Sequence, residues 1–136
     1  GVAHHSGSVH APIRARWEQG DPAVVSGYER VAAIAREGKT ALLRAEWLRF
    51  GALMNENHAI QRGLGGSGES NERLVAAALG AGALGAKLAG AGGGGTIVAL
   101  WTHGDATPLE SALRAAGATA FYRPEPVYGV RVEVIE

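Results

Sequence analysis

Residues able to do chemistry are concentrated in two places. The segment Lys87-Leu88-Ala89-Gly90-Ala91-Gly92-Gly93-Gly94-Gly95-Thr96 holds five glycines among ten residues and runs straight into the apolar Ile97-Val98-Ala99-Leu100-Trp101. A tether would mix glycine with serine and stay polar. This loop is wedged between two strand-like runs, which predicts a conformation fixed by the fold. Without Cβ atoms its backbone can take φ > 0 and bring N–H groups close to a ligand, and successive N–H groups can form an anion-binding concavity. Glycine content alone leaves two readings open. One is a phosphate contact through Gly90, Ala91, Gly92, Gly93, Gly94 and Gly95, and the other is a tight hairpin with nothing bound.

The second place is Met54-Asn55-Glu56-Asn57-His58. Asn55, Asn57 and His58 can donate and accept hydrogen bonds toward a hydroxylated acceptor, or satisfy buried backbone groups near the loop. Neighbours on a helix differ by about 100°, so His58 follows the core stripe while Asn55 and Asn57 lie to either side. His4, His5 and His10 match no strong metal-ligand spacing and read as a solvated loop. Ser6-Gly7-Ser8 is a further place for a substrate contact.

These groups need elements to position them. A short helix is expected over Ala11 to Trp17, with Pro12 in its first turn and Gly20-Asp21-Pro22 breaking it. Asp21 then caps a second helix with Pro22 at its first position. Val24, Tyr28, Val31 and Ala35 mark its buried face and Gly38 its end. A longer helix from about Thr40 to Arg62 carries Leu43, Trp47, Phe50 and Met54 as a core stripe, with Trp47 and Phe50 in the core. The same steps reach His58 and Gln61, so this end faces a polar network or a cleft. Gly51 lies on the same side, where close packing against another backbone accounts for a glycine inside a helix.

Gly63-Leu64-Gly65-Gly66-Ser67-Gly68 reads as an inter-helix turn, followed by a helix from about Ser70 to Leu79. Leu84, Ala86 and Leu88 alternate with Gly85, Lys87 and Ala89, the period of a strand, and Thr96 to Trp101 reads as a central strand. Thr107-Pro108-Leu109-Glu110 is a capping box. Ala118 to Tyr122 and Val130 to Val134 complete the expected strands. This order predicts an α+β fold: an antiparallel four-stranded sheet with helices on one face.

The chain has 136 residues, the size of one domain, with thirteen acidic and thirteen basic side chains and no cysteine. A zero net charge gives no field toward nucleic acid or an anionic membrane, and no apolar run reaches the roughly 20 residues of a membrane span. Absence of cysteine excludes disulfides and fits a reducing cytosol, so a cytoplasmic location is expected. The chain starts at Gly1 without a signal-peptide pattern, as a piece of a longer polypeptide would.

With that layout in hand, Met54 to His58 and Gly80 to Gly95 resemble the C-terminal domain of the GHMP kinases, whose members include galactokinase, homoserine kinase, mevalonate kinase and phosphomevalonate kinase. The family's third motif has the form Lys-Leu-Thr/Ser-Gly-Ala/Ser-Gly-Gly-Gly-Gly, and Lys87 to Gly95 departs from it at Ala89, where relatives carry a hydroxyl. The resemblance runs from about Ala32 onward and implies a ferredoxin-like sheet, with residues 21–136 as the C-terminal domain and 1–20 as the connection from an N-terminal domain. It also implies ATP and Mg2+ held mainly by that other domain, no catalytic residue in this segment, and a sugar or mevalonate-like acceptor. The opening Ser-Gly-x-Val-His segment leans toward the sugar branch. The family's second motif, Pro-x-x-x-Gly-Leu-Gly-Ser-Ser-Ala, has no copy here, so the segment alone is expected to be nearly inactive. The apolar surface it would bury against the other domain makes a homodimer an expected partner state. The alternative is a non-catalytic ferredoxin-like module that binds a metabolite or a partner.

Overall fold

The computed structural model of the chain describes residues 6–90, 92, 94–125, 127 and 129. Its elements are α1 (Ser6–Glu18), α2 (Pro22–Leu43), α3 (Trp47–Gly63), α4 (Glu69–Gly80), β1 (Gly85–Ala89), β2 (Thr96–Leu100) and α5 (Thr107–Ala115). The α+β class holds. β1 and β2 form an antiparallel hairpin, pairing Gly85 with Leu100 and Ala89 with Thr96.

Local chemistry explains most boundaries. The Asp21 carboxylate accepts the Ala23 N–H at 2.9 Å, and Pro22 supplies the first helical residue. At the start of α5 the capping differs from the sequence expectation. Ala106 holds the cap position, and it is the Asp105 carboxylate that accepts the Thr107 N–H at 2.9 Å. α1 also starts earlier than expected, placing Pro12 inside the helix, and Ile13 anchors it against Val24 and Leu64.

Three expectations fail for identifiable reasons. Gly38 does not end α2; it is buried there, beside the Phe50 ring. The helix instead stops at Leu43, before a turn in which Ala45 takes a positive φ of 54°. The stripe drawn through Leu43 and Trp47 therefore crosses a chain reversal, leaving Leu43 77% and Trp47 41% exposed. Phe50 is half-buried, and the buried line of α3 is Gly51, Leu53, Met54 and His58. On α2 the buried line is likewise Val24, Ile34, Gly38 and Ala41, while Tyr28 and Ala35 are exposed.

The third is the strand expected at Ala118 to Tyr122 as part of a four-stranded sheet. Among the described residues the sheet has two strands, and Val98 is 50% exposed. Residues 118–122 form no strand. Ala118 and Phe121 pack back onto the α4–α5 core, with the Arg114 guanidinium 4.6 Å from the Phe121 ring centre. The expected strand at Val130 to Val134 lies outside the described residues.

Two layers result. α4 and α5 cover one face of the hairpin through Val75, Ala78, Ala86, Leu109 and Leu113, joined by Ile97 and Ala99. α3 lies along the outer edge of β1 and packs against α2 through Ile34, Ala41 and Leu53. A bidentate pair from Arg30 to Glu56, at 2.6 and 2.7 Å, reinforces that contact. At the junction of α3 and β1, Gly51 and Gly85 meet backbone to backbone. A Cβ on Gly85 would stand 2.5 Å from the Gly51 carbonyl oxygen, and one on Gly51 would strike the Leu84 carbonyl. Gly51→Ala is therefore expected to lower stability by about 1–3 kcal/mol through overpacking. Urea denaturation with an unchanged midpoint would contradict this contact.

Candidate functional site

The glycine loop leaves β1 at Ala89 and returns at Thr96, two residues that face each other in the hairpin register. Gly90, Gly92, Gly94 and Gly95 have φ of 79°, 87°, 152° and 101°. Side-chain-bearing residues rarely adopt these values, which is why the run must be glycine. Gly92 is buried, and the space a Cβ would fill there is taken by the Gly66 carbonyl. The glycine-rich turn between α3 and α4 is thus the surface on which the loop rests. Ala91 and Gly93 lie outside the described residues.

What holds the loop is the outer edge of β1. Asn55 accepts the Ala86 N–H through Oδ1 at 2.9 Å and donates from Nδ2 to the Leu84 carbonyl at 3.3 Å. One turn along, His58 Nδ1 accepts the Leu88 N–H at 3.3 Å. Residues three apart on a helix share a face, so α3 presents one side chain after the other to the strand's free backbone groups. Asn55 and His58 are thereby committed to the backbone. The Asn57 side chain, half-buried, has no hydrogen-bond partner among the described residues.

An accepting Nδ1 places the imidazole proton on Nε2. That nitrogen lies 3.1 Å from Glu72 Oε1, in the first turn of α4, though bent away from the alignment of a full hydrogen bond. Burial pushes the His58 pKa below its ordinary value; Glu72 pulls the other way, and Arg62 and Lys87 reinforce the lowering. His58 is therefore neutral at pH 7. Burial opposes ionisation of Glu72, but the nearby Ser67 hydroxyl, His58 and Arg62 outweigh it and hold its pKa below the usual value. Burial also lowers the pKa of Lys87, whose ammonium donates to the Leu88 carbonyl at 2.8 Å and has no carboxylate partner among the described residues.

Sequence reading missed Glu72, Ser67 and Asn71. Asn71 is 0% exposed, and among the described residues neither its amide oxygen nor its amide nitrogen has a hydrogen-bond partner; the Ser67 hydroxyl is also buried without an aligned partner among them. The signal for Asn71 was an amide one turn before Val75 and Ala78 on the buried stripe of α4. Beside these groups a cleft of about 260 Å3 opens between α3 and α4, with His58, Arg62 and Glu72 at its polar end and Val75 and Leu79 at its apolar one. A second hollow, of about 300 Å3, is lined by His10, Arg14, Trp17 and Tyr28 and includes no residue of the glycine loop.

A sequence model described as GHMP kinases C terminal matches residues 39–119, the span that holds the α3 motif, the α3–α4 turn and the glycine loop. The chain belongs to the GHMP kinase family. The mevalonate kinase of Pyrococcus furiosus is 34% identical over 130 residues, 92% of this chain and 39% of that protein. Probable glucuronokinase 2 of Arabidopsis thaliana is 38% identical over 91 residues, 65% of this chain and 25% of that protein. The crystal structure of L. major mevalonate kinase in complex with R-mevalonate matches with a TM-score of 0.78 at 30% identity, covering 85% of this chain and 36% of that one. This GHMP kinase chain thus spans about two fifths or less of the length of these relatives.

In this GHMP kinase domain, Asn55→Ala removes both partners of the β1 edge at once. An unpaired buried N–H and carbonyl together are expected to lower stability by about 2 kcal/mol or more, with loss of hydrogen-exchange protection at Ala86. Wild-type protection at that amide would show that another group satisfies the edge.

Proposed function

We propose that this chain is the C-terminal domain, residues 21–136 with 1–20 as its connection, of an ATP-dependent kinase that phosphorylates a hydroxyl of a small carboxylate-bearing acceptor. The observation that carries this reading is the glycine loop itself. Four of its glycines hold positive φ, the loop is seated on the α3–α4 turn at Gly92, and its strand is pinned by α3.

In phosphoryl transfer, protein groups act chiefly by positioning and by stabilising charge. The loop's contribution is backbone N–H groups fixed in place before a phosphate arrives, so little ordering is left to do when it binds. Lys87 adds a cation near the strand end, with no carboxylate partner among the described residues. Among the described residues no three His, Cys, Asp or Glu side chains gather in a way that could hold a metal ion. ATP and Mg2+ would be held mainly by the N-terminal domain of the longer kinase.

Mevalonate and glucuronate share a carboxylate and a free hydroxyl, and kinases named for each are similar to this chain. Mevalonate kinases match over 64% to 92% of the chain and glucuronokinases over 65% to 84%. This supports a carboxylate-bearing acceptor over the plain sugar that the opening segment suggested. Ala89 carries no hydroxyl, so any contact made at that position comes from the backbone.

The test uses the longer polypeptide that contains this chain, assayed with ATP against mevalonate, glucuronate and galactose. Phosphorylation of a carboxylate-bearing acceptor is expected, and the 136-residue chain alone should be nearly inactive. Gly95→Ala, at a φ of +101° with open space where its Cβ would go, changes loop conformation without a clash. It should lower kcat/KM by about 100-fold. Unchanged kinetics would remove the loop from the reaction, and turnover by the isolated chain would move the catalytic groups into it.

A further inference from the structure

The buried histidine does more than fill the edge of β1. It joins three separate parts of the domain: its own helix, the strand that feeds the glycine loop, and the first turn of α4, next to the turn on which Gly92 sits. We propose that His58 is the positioning residue of the glycine loop, its neutral imidazole tying Leu88, two residues before the loop, to Glu72, and that protonation of the ring undoes the tie.

Geometry makes the two states unequal. Neutral, the ring accepts the Leu88 N–H at Nδ1 and holds its protonated Nε2 3.1 Å from Glu72 Oε1, short of full hydrogen-bond alignment. Protonated, it carries hydrogen on both nitrogens. Nδ1 can then no longer accept, and two N–H groups confront each other inside a site where His58 is 4% exposed. The ring must turn or withdraw, and Leu88 is left unpaired. The charged groups around it are Glu72 from α4, Lys87 from β1 and Arg62 from its own helix. Glu72 favours the imidazolium, the two cations oppose it, and burial opposes it most. Gly66 and Gly92 have no side chains with which to hold the loop once β1 loosens.

The sign of the pH dependence follows. A folded-state His58 pKa below the unfolded value means that the unfolded chain binds the proton more readily. Its contribution to stability is complete above about pH 6.5 and is lost as pH falls through the folded pKa. The lowered carboxylates Asp21, Glu56, Glu72 and Asp105 act further down, below ordinary values of 3.8 to 4.5.

Two substitutions separate the roles of the two ring nitrogens. In His58→Asn the amide oxygen can stand where Nδ1 stood and accept from Leu88, but it neither titrates nor reaches Glu72. In His58→Gln the longer amide reaches toward Glu72 and leaves Leu88 without its acceptor. Amide exchange, expressed as protection factors, and 15N-resolved spectra of the 136-residue chain provide the readout, with His58 ring resonances followed in parallel. The wild type should lose about tenfold in Leu88 protection as the ring titrates, the equivalent of one hydrogen bond, with the loop glycine amides shifting at the same midpoint. His58→Asn should keep its protection at every pH, and His58→Gln should lack it even at pH 7.5.

Wild-type Leu88 protection in folded His58→Gln would overturn the proposal. So would Leu88 and glycine signals that stay still while the His58 ring titrates. The functional weight of this tie rests on the phosphate role proposed for the loop, but the readouts need no nucleotide. A loop that binds no phosphate would leave them unaltered, so the two ideas fail separately.

Discussion

The structure turns on one unsatisfied edge. β1 pairs with β2 along one side only, and a buried strand cannot leave its other row of N–H and carbonyl groups empty without a cost of about 1–3 kcal/mol for each group. Here the missing neighbour is a helix. Asn55 supplies an amide that donates and accepts much as a paired strand would, and His58 supplies a second acceptor one turn later. Such an arrangement needs a helix axis closer to a strand than side chains usually permit. Gly51 and Gly85 remove the two Cβ atoms that would prevent it.

From that contact the rest follows in order. With β1 fixed against α3, the glycine run at its end has a defined starting point, and its turn brings Gly92 onto Gly66. The α3–α4 turn serves as a rest because α4 packs on the inner face of the hairpin through Val75 and Ala78. Loop, turn and histidine are therefore parts of one assembly, in which no member has its position without the others. This also explains why the polar end of α3 carries an asparagine and a histidine where apolar spacing would call for leucine.

Much of this was legible in the sequence. The glycine run between two apolar stretches, Gly51 inside a helix, the polar turn of the core stripe at His58 and the Asp21-Pro22 helix start each had a physical reason, and each occurs where it was expected. Other features were hidden because one residue type serves two ends. Gly38 looked like a helix stop but lies buried inside α2 beside Phe50, and spacing alone carried the core stripe through a reversal at Ala45. Ala118 to Tyr122 had strand character yet folds back onto α5, where Arg114 and the α4–α5 core offer Phe121 more contact than a strand edge would. The partnership of His58 with Glu72 spans fourteen positions on two helices. Its members have no shared spacing to betray them, so only the fold could bring them together.

The central claim is that this edge-supported loop presents its N–H groups to a phosphate in the complete kinase. The most direct measurement is 15N-resolved NMR of the longer protein with and without a non-hydrolysable ATP analogue. The amide signals of Gly90 to Gly95 are expected to move downfield on binding, as N–H groups donating to a charged acceptor do, while those of α2 stay in place. Saturating nucleotide that shifts signals elsewhere and leaves the loop glycines unmoved would contradict it.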